Sequence, residues 1–292
     1  MSTQNALAGA QKWANEQPWR LYASQVVVLV RTEVRRNLFS KRRIWIYLLA
    51  FVPAIILLIA NLFGNAETGA IQLEGHTEAF AGIVFQLYFV RLGIFFACMG
   101  IFTWLFRGEM VQKTLHYQFL SPVRREVLVV GKFLAGAVTS IALFEVAVTT
   151  SFYLTYSSFG SIGRTYVFNG PGLGQLGAYL LVTLLACLGY GAVFLALSLL
   201  FKNPIVPGVM LWGWEAISPI FPSWAQKLSV TFYLKHLCPV AMPVDGPMAI
   251  FTVVAEPVAP FLAIGGLLCL TVAVLVLSCF LIHRLEITYT VD

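Results

Sequence analysis

Three ionisable side chains stand inside long apolar runs of the sequence: Arg91, Glu145 and Glu215. An ion at the centre of a bilayer costs about 3 kcal/mol or more unless it meets a partner or water. Such residues therefore pair across helices, line a polar path, or hold a broken stretch of backbone. Arg91 and Glu145 lie at matching distances from the polar stretch that joins their two runs, and at ~1.5 Å per residue their depths agree within roughly 3 Å. The match predicts an ion pair bridging neighbouring helices. The alternative puts Arg91 at the outer interface, with Glu145 protonated or facing a water-filled cavity. Glu215 sits beside Trp212 and Trp214 in a run broken by proline and glycine. It either lines a path or caps a re-entrant turn.

Other chemistry is poorly supplied. His76, His116, His236 and His283 are scattered without metal spacing, and no H-E-x-x-H motif occurs. The 5 cysteines contain no C-x-x-C pair, so neither a metal site nor a disulfide framework is expected. No G-x-x-x-x-G-K-[ST] phosphate loop is present: Gly131-Lys132 is followed by Phe133 and lacks the earlier glycine. No cofactor is expected on this chain, and any ATP hydrolysis must be supplied by another.

One hydrophilic stretch carries a pattern, residues 107–132, which reads RGEMVQKTLHYQFLSPVRREVLVVGK. Residues 110–120 lack glycine and proline and are expected to form a short helix, which Pro122 forbids from simply continuing. Val111, Leu115 and Phe119 recur at i, i+4 and i+8 and make one apolar face. Such a face can dock into a groove on another protein. The alternative is a solvated hairpin.

These residues need a scaffold, and composition says which kind. The chain of 292 residues is 59% hydrophobic and 11% charged, with a mean hydropathy of +0.82. A soluble domain would carry about 25% charged residues. The expected fold is an all-α membrane protein with six transmembrane helices, over residues 44–63, 80–106, 133–159, 176–201, 205–221 and 261–282. The fifth is short and broken by Pro207, Gly208, Gly213 and Pro219. Residues 222–260 are too rich in proline to span simply and too apolar for an open loop, which suits re-entrant or interfacial helices. Residues 1–43 form a cytosolic N-terminus, in which 19–43 mixes Trp, Tyr, Leu and Val with basic residues. That mixture suits an amphipathic helix in the membrane interface. Residues 1–20 are polar, so no secretory signal peptide is expected. Residues 283–292 are a tail.

Orientation follows from the basic residues. Of 19 Lys and Arg, all but Arg91, Arg164, Lys227 and Lys235 fall on one side of the six-helix layout. Both ends are therefore expected in the cytosol. This bias also accounts for the net charge of +6, so a nucleic-acid partner is not expected. The absence of any Asn-x-Ser/Thr site favours a bacterial inner (cytoplasmic) membrane.

The patterned loop resembles the first cytosolic loop of ABC transporter permeases of the type 2 export class. The resemblance rests on Arg107, Gly108 and Glu109, then Lys113, Thr114 and Leu115, then Ser121, Pro122 and Arg125, and finally Gly131 and Lys132 opening the next helix. It extends to the basic interfacial helix, the six spans and the interrupted outer segment. Trp214-Glu215 and residues 229–239 are similar to one branch of that family. The resemblance implies a coupling helix over 109–120 that sits in a cleft of a separate nucleotide-binding subunit, with Phe119 on its apolar face. It implies a connector helix before the first span. It also implies a second permease chain, as a homo- or heterodimer, and two ATPase subunits that bind ATP and Mg. The competing readings are a membrane-embedded enzyme, which lacks a constellation of catalytic residues here, and an ion-gradient-driven secondary transporter, for which no internal repeat is visible.

Overall fold

The computed structural model describes residues 19–39, 44–63, 70–112, 120, 123–240 and 259–284, and their regular structure is helical throughout. Helix α1 is Trp19–Phe39 and α2 is Ile44–Phe63. Helix α3, Ala70–Ala79, runs straight into a π-helical segment, Phe80–Ile94, and then into α4, Phe95–Val111. Helix α5 is Arg125–Ser157, α6 is Gly160–Asn169 and α7 is Gly172–Leu200. Helix α8, Ile205–Ile217, is followed by a 3-10 turn, Ser218–Ile220, and a one-turn helix, Ser223–Gln226. Helix α9 is Val230–Leu237 and α10 is Pro260–His283.

Apolar runs become helices because a bilayer offers no partner to a bare N–H or C=O, and the helix satisfies both internally. Five helices are long and apolar enough to cross: Ile44–Phe63, Leu73–Val111, Arg125–Ser157, Gly172–Leu200 and Pro260–His283. The expected fifth of six crossings is only 13 residues long in α8. At ~1.5 Å per residue it reaches about 20 Å, short of a hydrocarbon core of about 30 Å.

Side-chain bonds fix the direction of each helix. The Asn61 amide donates to the Leu154 carbonyl at 2.7 Å, so α2 and α5 finish at the same end. Arg107 donates to the Phe201 carbonyl, which brings the end of α4 to the end of α7. Arg125 donates to the carbonyls of Ile282 and His283 at 3.3 and 3.4 Å, which sets the end of α10 beside the start of α5. These contacts define a basic end and a far end. Helix α7 finishes at the basic end and α10 begins at the far end. The chain between them must therefore climb from one to the other, and α8 is the first part of that climb.

The bundle is drawn together by small residues, as membrane helices require where lipid is as apolar as leucine. Phe102 of α4 is fully buried between Gly136 of α5 and Gly191 of α7. A methyl group on Gly136 would lie 2.6 Å from its ring, and one on Gly191 would lie 2.5 Å from it. Gly191→Val should therefore destabilise the chain by about 1–3 kcal/mol through overpacking. Pairing it with Phe102→Leu should recover part of the loss, as read by thermal unfolding of the purified protein. A Gly191→Val protein that melts like the wild type would remove the close approach from consideration.

Two boundaries differ from the sequence expectation. The second crossing continues from Leu73 to Val111, rather than 80–106. Helix α5 begins at Arg125, rather than 133, so Gly131 and Lys132 lie inside it and the loop is confined to 112–124. Arg124 is still extended at φ −64°, ψ 143°, and the helix begins directly after it. The first turns of α5 carry Arg125 and Glu126, so the helix outruns its apolar stretch. Helix α6 was not anticipated; the chain enters it through Gly160 at φ 55°, a left-handed conformation that glycine adopts freely.

Candidate functional site

At the basic end, α1, α4 and α5 converge on four charged side chains. Gly131 lets α1 approach α5, since a methyl group there would meet Leu29 at 2.5 Å. The next residue, Lys132, is 0% exposed. Its ammonium donates to the Leu105 carbonyl at 2.9 Å, to Glu109 Oε2 at 2.7 Å and to Glu33 Oε1 at 3.3 Å. It also lies over the Phe106 ring, 5.3 Å from the centroid. Arg36 closes the set: its Nη2 is 3.0 Å from Glu109 Oε1 and 2.9 Å from Glu33 Oε2. Two carboxylates thus alternate with two cations, and the group is neutral as a whole. Neutrality and direct bonding are what make buried charge tolerable. Arg124, 5.1 Å over the Tyr22 ring, is a second tie between α1 and the start of α5.

The cluster flanks the loop on both sides. Glu109 stands in the last turn of α4, and Lys132 about two turns into α5. The cluster thus ties both helices that flank the loop to α1. Of the residues expected to form the coupling contact, Arg107 bonds Phe201 and has its Nη1 3.0 Å from the Met110 sulfur. Gly108 lies under the Trp104 indole, where a methyl group would stand 2.6 Å from the ring. Arg125 bonds the last carbonyls of α10, as a cation at a helix C-terminus should. Lys113, Thr114, Leu115, Phe119 and Pro122 lie outside the described residues.

Glu33 and Lys132 were not singled out as paired charges from sequence. A signal existed: Glu33 is the one acid among seven basic residues between Trp19 and Arg43, and it stands three residues before Arg36. Its partner on α5 is 99 residues away, and no local pattern reports that distance.

The intramembrane charges fall differently from expectation. Among the described residues the ion pairs are those of the cluster and Glu126–His283, and Arg91 and Glu145 form none. Counting residues fixed their depth and left their direction around the helix open. The π winding up to Ile94 changes the rotation per residue, so α-helical counting misplaces the face. Arg91 instead lines a narrow cleft with Lys235 of α9. Glu145 is half-buried on α5.

Glu215 has the geometry of a cap. Its carboxylate accepts from the Ser229 hydroxyl, from Val230 N–H at 3.0 Å and from Thr231 N–H at 3.1 Å. Those donors are the unpaired N-terminus of α9, where a carboxylate is also favoured by the helix dipole. Ser229 Oγ accepts in turn from Phe232 N–H at 3.3 Å. The Tyr190 and Thr231 hydroxyls, 2.9 Å apart, tie the capped end to α7.

A family model described as ABC-2 family transporter protein matches residues 31–212, more than half of the chain. The matched stretch opens within α1 and closes within α8, so it holds all four residues of the charge cluster. No curated protein matches the chain.

Proposed function

The chain belongs to the ABC-2 family of transporter membrane proteins, and from that premise we propose that it is the permease subunit of an ATP-driven exporter whose ATPase is a separate chain. The observation that carries this reading is the buried charge cluster at the base of the α4–α5 loop. A loop that hangs between free helices bends when pushed. Here Glu109 and Lys132 bind the flanking helices to each other and to Glu33 of α1. A push on the loop from a closing ATPase dimer would then move α1, α4 and α5 as one body.

In this reading ATP and Mg are bound by the partner, the basic end faces the cytosol, and α1 lies along the inner membrane surface. The exposed side of α1 suits that position, since it mixes Val27 and Val28 with Arg20, Arg31 and Arg35. The climb from α8 to α10 supplies the sixth crossing. A second permease chain completes the path.

The test is made on the apolar face of the loop. Leu115→Asp and Phe119→Asp should each reduce stimulation of the partner ATPase at least about tenfold, the effect of losing an anchor residue at an interface. The melting temperature of the membrane part should be unchanged. If either variant binds and stimulates the ATPase as the wild type does, the loop is not the coupling element.

A further inference from the structure

Gly208, Leu211, Trp212 and Glu215 recur on α8 at i, i+3, i+4 and i+7 and form one stripe along it. Gly208 and Glu215 are buried and Leu211 packs on the core, whereas Ile205, Val206, Val209, Met210 and Ile217 are exposed. Beside Gly208 stand Met99 of α4 and Phe194 of α7; a methyl group on Gly208 would lie 2.8 Å from the Met99 sulfur and 3.3 Å from the Phe194 ring. The Trp212 indole N–H donates to the Arg91 carbonyl at 3.2 Å, and its ring centroid is 6.0 Å from that of Phe96. Just below the stripe, Arg107 donates to the Phe201 carbonyl. Arg91, Phe96, Met99 and Arg107 are successive levels of one continuous helix, the end of the π segment and α4. Helix α8 is therefore fastened antiparallel along that helix at three levels. Its upper end, Glu215, holds the N-terminus of α9.

We propose that α8 is a strut that makes α9, at the far end, follow α4, at the foot of the 112–124 loop, with Gly208 and Trp212 as the positioning residues that seat it. Helix α9 has 8 residues and does not persist by itself, so its capped end goes where the capping carboxylate goes. That carboxylate is carried by α8, and α8 is carried by α4. Helix α9 also rests on α7 and α10, with the Tyr190 and Thr231 hydroxyls 2.9 Å apart. Those contacts define the competing outcome: if they alone fix α9, loosening α8 leaves it unchanged. The inference rests on the permease reading only for the source of the displacement. The link itself is tested in the chain without an ATPase, so either can fail while the other stands.

The experiment is hydrogen exchange of the full chain in phosphatidylcholine nanodiscs, read by mass spectrometry. Trp212→Ala takes a donor and a ring away from the π segment and α4, and removes no hydrogen bond to α9 among the described residues. It should raise exchange in α9 at least about tenfold, as for an element that opens locally, while exchange in α2 keeps its wild-type rates. Gly208→Leu must displace Met99 and crowd Phe194, and should act in the same way. Adding Met99→Ala to it should restore part of the protection. Arg107→Gln removes the attachment at the basic end and should also raise exchange in α9. Unchanged α9 exchange in Trp212→Ala and Gly208→Leu means that α7 and α10 alone hold α9, and overturns the proposal. A rise in Trp212→Ala with none in Arg107→Gln separates α9 from the basic end and overturns it too, as does a uniform rise in every helix. Should Trp212→Ala fail to fold, Trp212→Phe keeps a ring, removes the donor and carries the same comparison.

Discussion

Lys132→Met is expected to be the most damaging single substitution in the membrane domain. Its ammonium is wholly enclosed and holds Glu33, Glu109 and the Leu105 carbonyl together. Methionine fills much of the same volume, so lost packing contributes little. What remains is a pair of buried carboxylates sharing Arg36, whose side chain is 47% exposed and only partly shields them. Removing one partner of a buried ion pair costs about 3–5 kcal/mol, because the charge left behind is neither solvated nor paired. Thermal unfolding of the purified chain should therefore fall by on the order of 10 °C. The decisive comparison is the triple variant Lys132→Met, Glu33→Gln, Glu109→Gln. Replacing a whole buried charge set with neutral groups is often nearly neutral for stability, so the triple variant should melt much closer to the wild type. It should nonetheless couple poorly to the partner ATPase, because α1 is no longer tied to the loop. If Lys132→Met melts within a degree of the wild type, the cluster does not hold these helices.

Helix identity was legible in the sequence wherever hydropathy alone decides it: α2, α7 and α10 lie close to their apolar runs. The start of α5 was not legible, because Arg125 and Glu126 are as hydrophilic as a loop while the backbone has already turned helical. That boundary decides where Lys132 lies. With 125–132 taken as loop, Lys132 belongs among solvated loop cations, whereas inside α5 it points at α1 and α4 and is enclosed. Its acids lie 23 and 99 residues earlier, a separation that sequence periodicity cannot join. Gly131 was visible only as part of a resemblance, and its reason is packing: a larger residue there would have to displace the Leu29 side chain of α1. Arg91 illustrates the opposite limit. Its depth could be counted, but its direction depended on a π winding that no residue type announces. Glu215 was half legible. A proline-broken run with an acid in it implied either a path or a cap, and the choice depended on where the backbone N–H groups of 230 and 231 point.

The consequence for Glu215→Ala follows from that geometry. The substitution strips the acceptor from the N–H groups of Val230 and Thr231 and from the Ser229 hydroxyl at once. Each buried donor left unpaired costs about 1–3 kcal/mol, so the local loss is about 3 kcal/mol or more. The loss falls on α9, a helix of 8 residues that cannot persist by itself and is held by its cap and by packing on α7 and α10. Local release of α9 is therefore expected, rather than global unfolding. Lys227 and Lys235 flank the capped end and give trypsin two sites there. Cleavage at these lysines in the solubilised protein should rise at least about tenfold in Glu215→Ala, the factor that ~1.4 kcal/mol already supplies when cleavage tracks the open population. Glu215→Gln keeps one carbonyl oxygen as an acceptor and should fall between the two. A residue that only lined a path would alter transport and leave the proteolysis rate unchanged. Equal cleavage in Glu215→Ala and the wild type would thus return Glu215 to the path and remove it from the scaffold.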